Sequence, residues 1–234
     1  MIKLIYVMSD LHGCYEKYLE ILEKISFSSN DTLYILGDVV DRGDGGIKIL
    51  QDMMKRKNIL PIMGNHERMA LDILQKVYNE LEYEGKTTTT VPSSNDCKIW
   101  FAHGGYPTYH AFSLLHPRNQ RDLIEYIESF CLEDDIIVGG NQFYLAHSAL
   151  KEHTYRGFDK TMSNDKHIWE RMDYNKPYFQ DKYFVSGHSP TFFIGAEWKG
   201  RIYKNCHHIA IDCGVVYGEK LGCICLDNLT EYYV

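Results

Sequence analysis

Short apolar runs and helix-spaced apolar positions take turns along the first third of the chain. Ile2–Met8 reads as a buried strand, and Tyr15, Tyr18, Leu19, Leu22 and Ile25 then recur at the 3.6-residue period of an amphipathic helix. Thr32–Leu36 is a second strand, followed by a helix marked by Ile47, Leu50, Met53 and Met54. Ile59–Met63 is a third strand, and Met69, Ile73, Leu74 and Val77 mark the helix after it. Strands alternating with helices in this way predict a layered α/β core.

The pattern then changes. Gly85, the tract Thr87–Thr90 and Pro92–Asn95 disfavour regular helix, so Glu80–Asp96 reads as a surface loop, a linker or a lid. Helical spacing returns at Leu123, Ile124, Ile127 and Phe130, within Asn119–Cys131. Beyond Lys182 the chain is strand-like at Tyr183–Val185, Ile209–Ile211, Leu221–Leu226 and Tyr232–Val234. The simplest organisation is one domain over residues 1–234, with a loop and helical insertion at 79–142.

Each of the first three strands ends in a polar cluster: Ser9-Asp10-Leu11-His12-Gly13, Gly37-Asp38-Val39-Val40-Asp41-Arg42-Gly43, and Gly64-Asn65-His66-Glu67. Carboxyl ends of neighbouring strands in an α/β sheet converge on one crevice, so the three clusters should meet. Asp10 alone would serve as a helix cap. Together, Asp10, His12, Asp38, Asp41, Asn65 and His66 form a mixed oxygen and nitrogen donor set that suits Mn, Fe or Zn better than Ca or Mg. Asp10 and His12 are two apart and point the same way from an extended strand end. A carboxylate such as Asp38 can bridge two cations in hydrolytic sites. His147 and His188 follow later apolar runs, where ligands from a second sheet would stand. By pattern, His103 in Ile99–Gly105 is as good a strand-end histidine as His147, and periodicity does not separate them.

Composition narrows the setting. With 25 Lys and Arg against 32 Asp and Glu, the net charge of −7 argues against a nucleic-acid coat. No apolar run approaches the roughly 18 residues of a membrane helix and no signal-like stretch is visible, so a soluble cytoplasmic protein is expected. Seven cysteines without a C-x-x-C pair fit neither a disulfide framework nor a zinc ribbon. Cys223 and Cys225 read as small apolar side chains of a half-buried strand. His207-His208 reads as a strand-edge pair facing opposite sides, Asp134-Asp135 as a solvated strand or loop start, and Tyr217 as strand-end packing near the site.

The blocks D-L-H-G (10–13), G-D-V-V-D-R-G (37–43) and G-N-H-E (64–67) resemble the signature blocks of the metallophosphoesterase superfamily, in its phosphoprotein phosphatase branch. Leu145–Ser148, Trp169-Glu170-Arg171, Gly187-His188-Ser189-Pro190 and Ile211-Asp212-Cys213-Gly214 resemble its later blocks in order. Ser148, Ser189 and Cys213 depart from the usual residues without removing a ligand. Within the branch the chain is similar to small phage-type bacterial Ser/Thr protein phosphatases and to symmetric diadenosine tetraphosphate hydrolases. The resemblance implies an α/β (α+β) layered fold, with two central mixed β-sheets flanked by helices and a helical insertion.

It further implies Asp10, His12 and Asp38 at one metal, and Asp38, Asn65, His147 and His188 at a second, with Asp38 bridging. The cations would be Mn²⁺, or Fe or Zn. His103 aligns with an N-G-G block that does not ligate, which favours His147. His66 would be the general acid oriented by Asp41, with Arg42 and Arg171 holding phosphoryl oxygens. The expected reaction is hydrolysis of phosphate monoesters, phosphoserine or phosphothreonine in proteins, by water activated between the cations. The expected partner is thus a phosphorylated protein or small phosphorylated substrate, not nucleic acid or membrane, and a monomer is favoured.

Two rival readings stand beside this one. A non-catalytic metal-binding scaffold would lack the acid or the arginines, and His66, Arg42 and Arg171 are all present. A symmetric diadenosine tetraphosphate hydrolase releasing ADP would need an aromatic shelf and basic groups, which Trp100, Tyr106, Tyr109 and Arg118 could furnish.

Overall fold

Alternate residues of β1 (Ile5–Met8) enter different cores: Tyr6 and Met8 pack on one side of the sheet, Val7 on the other. The same holds for β2 (Thr32–Ile35), where Leu33 and Ile35 oppose Tyr34. Strands covered on both faces read as continuous apolar runs, as these do. The computed structural model describes residues 3–84, 94–150 and 166–234.

The first sheet has the order β10-β9-β1-β2-β3. Its parallel part is β1, β2 and β3 (Ile59–Pro61); β9 (Gly222–Cys225) and β10 (Glu231–Tyr233) add antiparallel. Helices α1 (Tyr15–Lys24) and α2 (Gly46–Met53) supply the crossovers, and with α3 (Asn65–Glu84) they cover one face. The second sheet has the order β4-β5-β6-β8-β7, built from β4 (Glu133–Val138), β5 (Asn141–Ala146), β6 (Lys182–Ser186), β7 (Tyr203–Asn205) and β8 (His208–Ala210). Val7, Tyr34, Leu36 and Ile224 of the first sheet meet Phe143, Leu145, Val185 and Ile209 of the second in a shared core. Two mixed sheets with flanking helices are thus the architecture the resemblance implies.

Three further helices are described between α3 and β4: α4 (Asn95–Ala102), α5 (Tyr106–Ser113) and α6 (Pro117–Glu128). Trp100, Phe112, Leu123, Ile124 and Ile127 join Leu71 and Leu74 of α3 in the helix-side core. The expected loop at Glu80–Asp96 is corrected at both ends. Helix-compatible residues carry α3 to Glu84, and Ser94 accepts from the Cys97 N–H at 3.2 Å to start α4; residues 85–93 lie outside the described residues. Ile99–Gly105, strand-like by pattern, is the end of α4 and its turn, because Cys97 and Trp100 bury one helical face.

The strand of Cys223 and Cys225 is buried on both faces, not half-buried: the two cysteines enter the helix-side core and Ile224 the core between the sheets. His207 sits in a left-handed turn at φ 57° and only His208 enters β8, an interior strand, so the two are not a strand-edge pair. No helix among the described residues is long and apolar enough to cross a membrane.

Candidate functional site

Four strand ends and the start of α3 deliver the site. Asp10 and His12 follow β1, Asp38, Asp41 and Arg42 follow β2, Asn65 and His66 open α3, and His147 and His188 follow β5 and β6. Six of these residues have left-handed backbones: Asp10 (φ 54°), His12 (41°), Asp38 (54°), Asp41 (71°), Arg42 (67°) and His188 (68°). Such conformations cost about 1–3 kcal/mol each for non-glycine residues and cluster where surrounding structure imposes them. Gly37 takes φ +79° in the same loop, and a Cβ there would lie 2.5 Å from the Gly64 Cα.

Glu67 holds the second loop in place. Its Oε2 accepts from the N–H of Asp38 (2.7 Å) and Gly64 (3.1 Å), and its Oε1 from Val39 (2.7 Å) and Val40 (3.1 Å). The Asp38 carboxylate faces outward from this cradle with His12 Nε2 3.6 Å from Oδ2 and His147 Nε2 3.4 Å from Oδ1. His147 Nε2 is also 2.9 Å from Asn65 Oδ1, and His188 Nδ1 is 3.0 Å from the same oxygen.

The other nitrogen of each ring fixes its tautomer. His12 Nδ1–H donates to the Val40 carbonyl (3.1 Å), His147 Nδ1–H to Leu36 (2.6 Å) and His188 Nε2–H to Trp169 (3.2 Å). Each inward nitrogen therefore turns a lone pair toward oxygens that carry lone pairs themselves. A bound cation resolves that conflict, and backbone carbonyls that orient ligating imidazoles are the usual support of a metal site. Burial, with His66 nearby, holds His12 well below the usual imidazole range; burial, with His147 and Arg171 nearby, pushes His188 down to about 2. Both rings are thus neutral donors.

The carboxylates point the same way. Burial raises Asp10, Asp38 and Asp212 above the usual range, and the charge of Asp10 adds to that on the other two. Asp10 Oδ2 accepts from Ser9 and from the His188 N–H (2.9 Å), while its Oδ1 is buried with no hydrogen-bond partner. Buried acids at this density beside neutral imidazoles fit divalent cations. Among the described residues, two sets of donor atoms form, each with its atoms within 4.8 Å of one another, His12–Asp38–His66 and Asp38–His147–His188, and Asp38 belongs to both. Asp10 stands outside both sets and His66 inside one.

His66 has a second tie. Its Nδ1 lies 2.7 Å from Asp41 Oδ2, and its Nε2 is 3.3 Å from the Arg42 guanidinium. Burial opposes protonation of His66, but Asp38 and Asp41 outweigh it and raise the imidazole above its ordinary value. Arg42 also donates to the Tyr217 hydroxyl at 3.0 Å and lies over its ring, and Arg171 lies 5.3 Å from the Phe193 ring centre. Tyr217 and Phe193 are exposed.

His103 is at the C-terminus of α4 with Nδ1 donating to the Ile99 carbonyl (2.8 Å), outside both donor sets. Trp100 and Tyr109 are buried, so the aromatic shelf expected from Trp100, Tyr106, Tyr109 and Arg118 does not assemble. Asp212, Glu67 and Thr108 had no assigned role in the sequence reading; only the strand-end position of Asp212 and the block containing Glu67 hinted at them.

A profile of the calcineurin-like phosphoesterases matches residues 3–209. The chain is 25% identical over 171 residues to serine/threonine-protein phosphatase 2 of Salmonella typhimurium, spanning 71% of this chain and 67% of that one. It is 34% identical over 96 residues to a symmetrical bis(5'-nucleosyl)-tetraphosphatase of Wigglesworthia glossinidia brevipalpis, spanning 40% of this chain and about a third (35%) of that one. A crystal structure described as a putative diadenosine tetraphosphatase superposes with a TM-score of 0.66 at 18% identity, over 99% of this chain and 93% of the other, which shows the shared fold. A profile running through nearly all of the strand ends that build the site establishes that the chain belongs to the calcineurin-like metallophosphoesterases, a family of metal-dependent phosphoester hydrolases.

Proposed function

We propose that the chain is a phosphatase of phosphate monoesters, acting on phosphoserine and phosphothreonine in proteins, with residues 1–234 working as one cytoplasmic catalytic domain. The observation that carries this reading is the pair of donor sets sharing Asp38, with the His66–Asp41 pair at 2.7 Å against one of them. In it Asp10, His12 and Asp38 hold one cation, and Asp38, Asn65, His147 and His188 a second, Mn²⁺ being the best match to the donors. Bound there, the cations supply activated water and neutralise charge on the phosphoryl group.

The chain's own side chains do the rest. Arg42 and Arg171 bind phosphoryl oxygens through planar guanidinium groups that reach two acceptors at once. Once Arg42 turns to the phosphate, His66 Nε2 is free to carry a proton to the departing alkoxide, while Asp41 holds Nδ1–H and so the ring's orientation. A Ser or Thr alkoxide leaves poorly, and a positioned acid contributes roughly 10²–10⁴-fold.

A second reading has its own support. Relatives named as symmetrical tetraphosphatases match over part of their length, and the exposed rings of Phe193 and Tyr217 beside the arginines could stack on adenine. The Mn²⁺-loaded protein, given a phosphothreonine peptide and diadenosine tetraphosphate at equal concentration, separates the two. Phosphate from the peptide is the expected main product; a predominance of ADP overturns the monoesterase reading.

A further inference from the structure

Asp41 is completely buried, and its carboxylate is held by more than the histidine it orients. Oδ2, the oxygen 2.7 Å from His66 Nδ1, also accepts from the indole Nε1–H of Trp100 at 2.8 Å. Oδ1 accepts from the Thr108 hydroxyl at 2.8 Å, and that hydroxyl oxygen in turn accepts from the Asp41 N–H at 2.9 Å. Three donors on two oxygens leave the carboxylate a single orientation. Without Trp100 and Thr108 it could rotate about its last bond and release the imidazole.

Both donors come from the inserted helices. Trp100 lies on the buried face of α4, and Thr108 is in the first half of α5. The turn joining them is built around the indole: a Cβ on Gly105 would overlap the Trp100 ring. The same turn accepts the Arg42 N–H at the Gly104 carbonyl, 2.8 Å away. It therefore fixes the two consecutive left-handed residues, Asp41 and Arg42, that carry the acid's partner and a phosphate-binding group.

We propose that Trp100 and Thr108 are positioning residues for the proton donor: the α4–α5 segment locks the Asp41 carboxylate, and through it the His66 ring, in the orientation that serves the leaving oxygen. This rests on the reading of His66 as general acid. It gives the insertion a catalytic task besides any part in substrate choice.

The test uses leaving-group dependence. In W100F and T108V, kcat on a phosphothreonine peptide should fall about 10- to 100-fold with KM little changed, while kcat on an aryl phosphate, whose leaving group needs little protonation, stays within about threefold. T108S, which keeps the hydroxyl, should restore the peptide rate. In the proton NMR spectrum of the metal-free protein, the His66 Nδ1–H resonance, identified by its loss in H66N, should shift or vanish in W100F. Thermal melts show which variants are folded, and the isosteric T108V carries the test if W100F is not. Equal losses on both substrates, or no loss on either, with the resonance in place overturn the proposal. H66N run in parallel separates the two ideas: if H66N itself lowers both substrates equally, the acid role falls, and the resonance alone then decides whether Trp100 fixes the ring.

Discussion

His147, at the end of β5, sets its Nε2 3.4 Å from Oδ1 of Asp38, at the end of β2, so the site spans the seam between the two sheets. Cations held by both residues would join the sheets, and binding to the folded state alone stabilises it by about 2.7 kcal/mol at a hundredfold excess over Kd. For a chain of this size that corresponds to roughly 5–10 °C in Tm. Chelation of the metal-loaded protein should lower Tm by that amount in a calorimetric scan; an unchanged Tm would mean that no cation bridges the seam.

Asp38 is the one residue in both donor sets. Asp38→Asn removes the charge that both sets share and leaves one oxygen where each set uses its own, so both sets are weakened. Elemental analysis of the purified variant should find less than one metal per chain. Two metals per chain would remove the bridging role.

The two histidines that the sequence could not rank now differ in geometry. His147 is buried with Nε2 facing Asp38 and Asn65, whereas His103 is exposed with its Nδ1 occupied by a helix carbonyl. His147→Ala should therefore lose bound metal, and His103→Ala should retain the full complement. The reverse result by elemental analysis would exchange their roles.

The strand ends were legible because short continuous apolar runs stop at polar clusters, and Asp10, Asp38 and His66 do meet where that pattern put them. The α4 boundary was not, because Ile99-Trp100-Phe101-Ala102 has no polar break and reads equally as strand or helix; burial of Cys97 and Trp100 on one helical face decides it. The clamp on Asp41 was invisible for a different reason. Trp100 and Thr108 lie 59 and 67 residues from Asp41, and the packing of α4 on α3 and of α5 on α2 and α3 brings them to it. Left-handed backbones at Asp38, Asp41 and Arg42 also leave no trace in a sequence where the flanking glycines look like the flexible positions.

Glu67 satisfies four backbone donors of the two neighbouring loops with two oxygens. Glu67→Gln turns one of those acceptors into a donor that faces N–H groups. Leaving buried donors unpaired costs about 1–3 kcal/mol apiece, so a loss of about 2–4 kcal/mol in urea-unfolding free energy is expected. A loss under about 1 kcal/mol would show that the loops hold their shape without this carboxylate.

His208 offers a pH signature away from the metal ligands. Its ring is stacked between Phe184 and Tyr174, with centroid distances of 4.5 and 4.9 Å, and Nε2 is bonded to Ser186 Oγ at 2.8 Å. Burial pushes this imidazole down to about 3. In the unfolded chain it titrates near 6.5, so between these values the unfolded state binds the extra proton. The resulting stability is fully present above the unfolded value and is lost as pH falls from about 6.5 toward 3. His208→Phe preserves the stacking and has no proton to take up. Between pH 6.5 and 4.5 the wild type should lose about 2 kcal/mol more unfolding free energy than the variant. Parallel pH dependences in urea would show that His208 is not held neutral in the folded protein.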